Sequence, residues 1–139
     1  IATMAELLDA KAILAEEASS LGIPPMPCGI MVEIPAVAIM AEVFAEEADF
    51  FSIGTNDLMQ FIFAADRGNT RLAHRYDTLS PAVLRMLSGV IAACDAGHVE
   101  LSVCGEMAGA PLDALALVAL GGGRQIVEVE VRVDPMDVS

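Results

Sequence analysis

This 139-residue sequence predicts an α/β fold built on a parallel sheet. Three observations point to it. Segments with helical spacing of apolar residues alternate with short apolar runs of strand length, the order that a parallel sheet with covering helices requires. The short runs are mostly apolar, as parallel strands buried on both faces are. Polar residues stand at the ends of three of these runs, which in such folds is the edge where ligands bind.

The elements follow in chain order. Thr3 and Glu6 have capping-box spacing. Leu7, Leu8, Leu14, Ala18 and Leu21 then share one helical face, and Gly22 suits the residue just past the helix end. Ile23 to Pro27 reads as a loop and Cys28 to Ile34 as a strand with one charge, Glu33, near its end. Pro35 suits the first turn of a helix through about Glu47. Phe50 to Gly54 is a second strand. Thr55, Asn56 and Asp57 follow it, then a helical stretch from Leu58 to Ala65 and a polar loop from Asp66 to Thr78. Ser80 and Pro81 form an N-cap and first-position pair. Val83, Leu84, Leu87, Val90, Ile91 and Cys94 recur at helical spacing up to Gly97. Val99 to Val103 is a third strand, closed by Cys104, Gly105 and Glu106. Pro111 opens a last helix to about Leu120. Gln125 to Val133 alternates valines with Glu128, Glu130 and Arg132, a strand pattern of period two.

Composition bounds the function. The chain is 55% hydrophobic and 19% charged, so it can bury a core. Its formal net charge of −13, with seven basic residues, repels nucleic acid and anionic membranes. A phosphate site must therefore be built locally, from a few arginines, backbone N–H groups or a metal. No apolar run reaches the roughly 20 residues of a membrane span, and no secretory signal is visible. Cys28, Cys94 and Cys104 are an odd number without metal-ligand spacing, which predicts free thiols and a cytoplasmic location. Cys28 and Cys94 read as core thiols, and His74 and His98 lack a metal pattern. Ile1 is not an initiator methionine, so a processed, trimmed or incomplete chain is expected.

Glu33 and Asp57 are hard oxygen donors, and one or two carboxylates with substrate oxygens and water are what Mg²⁺ takes. Glu33 can equally be a buried carboxylate paired to an arginine, and Asp57 a helix N-cap. Arg67 can make a two-pronged contact to phosphate or carboxylate. Spacing alone slightly favours its pairing with Asp66 in a solvated loop. Cys104 can donate a proton or act as nucleophile beside a cation, although a buried inert thiol is the commoner fate.

Gly29 to Pro35, GIMVEIP, resembles the metal-binding strand of Enzyme I of the bacterial phosphotransferase system. Phe50 to Asn69, FFSIGTNDLMQFIFAADRGN, is similar to that family's signature, Cys104 to Gly109, CGEMAG, to its active-cysteine loop, and Tyr76 to Leu84, YDTLSPAVL, also fits. The wording MQFIFAADRGN looks more like the nitrogen-type than the sugar-type branch. The resemblance implies a TIM-type (β/α)₈ barrel, about half of it present, with Mg²⁺ as cofactor. It implies that Glu33 and Asp57 ligate Mg²⁺, that Asn56 holds the phosphate, that Asp57 and Arg67 bind phosphoenolpyruvate, and that Cys104 protonates the leaving enolate. It also implies a phosphocarrier protein as partner, reached through other domains, and a homodimer when full-length.

On this reading residues 1–120 are the partial barrel and 121–139 a divergent tail. A whole barrel needs roughly 250 residues, so the isolated chain is expected to be inactive. The alternatives are a relative of pyruvate phosphate dikinase or phosphoenolpyruvate synthase, and a non-catalytic binding remnant.

Overall fold

The fold, taken from a computed structural model, is described for residues 1–66 and 68–121 and for the backbone of 129–130. Helix α1, Met4–Leu21, begins with the expected capping box. The Thr3 hydroxyl accepts from the Glu6 N–H at 3.3 Å, and the Glu6 carboxylate accepts from Ala2 and Thr3 N–H at 2.6 and 3.3 Å. These bonds satisfy amides that have no partner within the helix. Gly22 closes α1 in the left-handed region, with φ 66°. The predicted apolar face is only partly used. Leu7 and Ala18 are buried, whereas Leu8 and Leu21 are exposed. Nothing among the described residues covers that side of the helix. An ion pair from Lys11 to Glu47, at 3.0 Å, ties α1 to the rest.

Three parallel strands follow: β1 Ile30–Val32, β2 Phe50–Gly54 and β3 Glu100–Cys104. A two-residue strand β4, Val129–Glu130, pairs with β3, so the sheet order is β1-β2-β3-β4 with all strands parallel. The remainder of the predicted Gln125 to Val133 strand lies outside the described residues. Register sets Val32 beside Ile53 and Gly54 beside Cys104, so the three strands end at one edge.

The helices are α2 Pro35–Ile39, α3 Ala41–Ala45, α4 Thr55–Phe63, α5 Pro81–Gly97, α6 Glu106–Gly109 and α7 Pro111–Leu120. The single helix expected from Pro35 to about Glu47 is two. At Met40, φ −100° and ψ 18° fall in the bridge region, and its N–H reaches both Ala36 and Val37 oxygens. This tightened turn keeps Val37, Ala38, Ala41, Phe44 and Ala45 all buried. Ser80 stands at the N-cap of α5, but its hydroxyl makes no capping bond; Pro81 at the first position needs no N–H partner. Gly97 is the last residue of α5, as expected, and His98 just beyond it takes the left-handed cap at φ 56°.

The strands are not buried on both faces, contrary to the sequence-based expectation. Ile30, Val32, Phe51, Ile53 and Val103 join Val37, Phe44, Leu58, Val83, Leu87, Val90 and Cys94 in one core. The alternate residues, Met31, Phe50, Ser52, Glu100, Ser102 and Cys104, are exposed or half-buried. Side chains alternate across a strand, so among the described residues the helices cover one face and leave the other open. Burying each large core side chain contributes about 1.5–3 kcal/mol, which holds the helical layer to the sheet.

Candidate functional site

The common end of the strands carries the site. Glu33 follows β1 directly and is half-buried. Gly54, the last residue of β2, lies against it: a Cβ at Gly54 would stand 3.1 Å from Glu33 Cβ and 3.2 Å from Met31 Cγ. The absence of a side chain there lets β2 approach the base of Glu33. Asp57 lies in the first turn of α4, where a carboxylate complements the helix dipole, and its Oδ1 accepts from Gln60 Nε2 at 2.8 Å. It is exposed. The N-cap position belongs to Gly54, so the N-cap alternative for Asp57 is overturned. Glu33 and Asp57 therefore follow neighbouring strands at one edge.

Cys104 ends β3 and is half-buried. Its thiol donates to the Ile53 carbonyl at 3.4 Å, and Ser52 Oγ donates to its sulfur at 3.5 Å. Cys94 is buried and Cys28 packs against the core, both as free thiols. Beyond Cys104 the chain turns sharply. Gly105 has φ 112°, a conformation that side chains resist. Glu106 N–H then donates to Asn56 Oδ1 at 3.1 Å. With its oxygen engaged in this way, the Asn56 amide presents its NH₂ as the remaining donor.

The first turn of α4 and the turn after β3 are thus in direct contact, and Glu33, Asn56, Asp57 and Cys104 all stand at this one edge. Arg67 lies outside the described residues, as does its pairing with Asp66. Asp66 Oδ1 accepts from Gly68 N–H at 2.8 Å. The following loop is fastened by Tyr76, whose hydroxyl donates to the Ala65 carbonyl, and by a 3.0 Å bond from Thr78 to Asp113.

Among the described residues no three His, Cys, Asp or Glu side chains converge as a metal cage. The other arrangement open to Mg²⁺ is two carboxylates completed by substrate and water, and Glu33 and Asp57 are the carboxylates singled out at this edge. Residues not singled out from the sequence also shape the edge. Ser52, Thr55, Gln60 and Gly105 each touch a candidate residue. Ser52 and Ser102 were findable by period two, since they share a face with Cys104.

Residues 1–129 match the family described as PEP-utilising enzyme, PEP-binding domain. The phosphoenolpyruvate-protein phosphotransferase of Geobacillus stearothermophilus is 52% identical over 130 residues, 87% of this chain and 22% of that protein. That of Staphylococcus carnosus is 45% identical over 127 residues, with the same shares of the two chains. The multiphosphoryl transfer protein of Xanthomonas campestris pv. campestris is 46% identical over 121 residues, 87% of this chain and 14% of that protein. The chain thus spans 22% or less of the length of these relatives.

Proposed function

We propose, from the premise that this chain belongs to the PEP-utilising enzymes as part of their PEP-binding domain, that it carries the phosphoenolpyruvate and Mg²⁺ site of a phosphoenolpyruvate-protein phosphotransferase. The similar proteins being phosphoenolpyruvate-protein phosphotransferases favours this over a dikinase or synthase.

The fold supports a barrel reading. Four parallel strands run in sequential order with helices on one face only. A doubly wound sheet would reverse its strand order and carry helices on both faces. An arc of a TIM-type barrel does neither. The open face is then the barrel interior. On this reading residues 1–120 are the barrel portion and 121–139 a divergent tail. The location is cytoplasmic, and the full-length protein pairs through its barrel and serves a phosphocarrier protein. No helix among the described residues is long and apolar enough to cross a membrane.

The chemistry is phosphoryl transfer from phosphoenolpyruvate to a histidine on another domain. The phosphorus–oxygen bond to the enolate breaks, a phosphorus–nitrogen bond forms, and the enolate carbon takes a proton to become pyruvate. Glu33 and Asp57 would hold Mg²⁺, which when bound offsets the charge of the phosphoryl oxygens. Asn56 and the backbone N–H groups of the first turn of α4 hold the phosphate. Arg67 grips the substrate through its planar fork. Cys104 gives its thiol proton to the enolate carbon and is left as thiolate.

One observation carries the reading: the bond from Glu106 N–H to Asn56 Oδ1 joins the phosphate end to the cysteine end of one edge. The test uses a full-length phosphotransferase in which this segment replaces its counterpart. Cys104→Ser is expected to slow single-turnover pyruvate formation about 10²- to 10⁴-fold and to leave calorimetric binding of phosphoenolpyruvate with Mg²⁺ unchanged. Normal turnover would leave Cys104 without a part in proton delivery.

A further inference from the structure

Thr55 is the one buried polar side chain among the described residues, at 1% exposure. The reading above gives it no role. Its hydroxyl donates to the backbone oxygen of Cys104 at 3.1 Å. The adjacent Asn56 accepts from Glu106 N–H at 3.1 Å. Gly105 sits between these two bonds, and a Cβ there would run into Thr55 Oγ1 and stand 3.0 Å from Asn56 Oδ1. Two consecutive side chains at the start of α4 therefore grip Cys104 and Glu106, on either side of a residue that has no room for a side chain.

The hydroxyl is not needed by its own helix. The N-cap of α4 is Gly54, which makes no side-chain cap, and Thr55 reaches across to β3 instead. A valine would fill the same volume and bury no polar group, whereas a buried hydroxyl is tolerated only when bonded. The bond falls where β3 leaves the sheet, so it fixes the backbone that carries the thiol.

We infer that Thr55 is a positioning residue, holding the Cys104 backbone so that the thiol stays aligned with the phosphate end of the site at Asn56. The inference rests on the proposed role of Cys104 as proton donor. Phosphate held at Asn56 and proton delivery from Cys104 are then mechanically one unit, because neighbouring residues of one helical turn hold both.

The test compares Thr55→Val, Thr55→Ser and Cys104→Ser in the same full-length phosphotransferase carrying this segment. Thr55→Val keeps the volume and removes the hydroxyl. It is expected to slow single-turnover pyruvate formation about tenfold to a hundredfold, the scale of a small misplacement of reacting groups, with KM for phosphoenolpyruvate changed less than about threefold. Thr55→Ser restores the donor and is expected to recover the rate to within about threefold. A folded Thr55→Val variant with normal turnover, beside a crippled Cys104→Ser variant, overturns the positioning role alone. Normal turnover of Cys104→Ser overturns both readings. Should Thr55→Val fail to fold, hydrogen exchange in the unmutated protein decides. The Glu106 N–H is expected to be protected and to exchange more slowly still with phosphoenolpyruvate and Mg²⁺ present. Free exchange of that amide, indifferent to ligand, overturns the coupling.

Discussion

Glu106 N–H donates to Asn56 Oδ1 at 3.1 Å across 50 residues of sequence, and Gly105 beside it has no space for a methyl group. Gly105→Ala must therefore meet two costs, a left-handed φ that alanine resists and a collision with Thr55 and Asn56. We predict a loss of about 1–3 kcal/mol in stability, read from urea unfolding. Pyruvate formation should fall with it. A substitution without effect on either would show the turn to be loose.

On the proposed reading the carboxylates and Arg67 separate by what they bind. Glu33→Gln and Asp57→Asn each remove a charged hard donor and should weaken Mg²⁺ binding about tenfold or more. Arg67→Lys should raise KM for phosphoenolpyruvate, since an ammonium does not reproduce a two-pronged contact. Calorimetry with Mg²⁺ alone and with substrate distinguishes the two effects.

The 139-residue chain by itself should not release pyruvate from phosphoenolpyruvate. It covers 22% of its phosphotransferase relatives, and the acceptor histidine is expected on another domain. A coupled assay that showed steady pyruvate production, lost on Cys104→Ala, would be the contrary result.

Phe51 stands in the centre of the buried face, with no exposed surface. Phe51→Ala should cost about 3–5 kcal/mol, measured by urea unfolding. Ser52→Ala, on the open face next to it, should cost no more than about 1–2 kcal/mol. Equal losses would mean that both faces of the sheet are packed.

Acid should loosen the start of α1. The Ala2 and Thr3 N–H groups hold the Glu6 carboxyl below its ordinary value. A lowered folded pKa contributes stability that is present above the unfolded value and lost as pH falls through the folded one. Amide exchange at Ala2 and Thr3 should rise on acidification through the carboxylate range, and Glu6→Gln should flatten that response.

Much of the layout was legible in local patterns. The Thr3 and Glu6 spacing identified the capping box, and β2 and α7 have the predicted bounds because polar residues and Pro111 bracket them. The C-terminal edge was legible because Glu33, Asp57 and Cys104 each follow an apolar run. Three things were not. The open face depends on which side chains meet helices, which an apolar run of five residues does not reveal. The break at Met40 comes from packing Ala38 and Ala41 together into the core, and the sequence there still reads as helix. Thr55 looked like one polar residue among three, and its bond to Cys104 spans a separation that no local spacing encodes.

The one-sided cover of the sheet also bears on which part of it holds together by itself. The core uniting Ile30, Val32, Phe51, Ile53 and Val103 with the helices draws all its members from this segment, through βα connections that are short in sequence. Such a layer can form as one cooperative unit, a foldon. The face with Met31, Phe50 and Cys104 has no such cover among the described residues. Cys104 and Glu106 are fastened to the start of α4 from within this same segment, through Thr55 and Asn56.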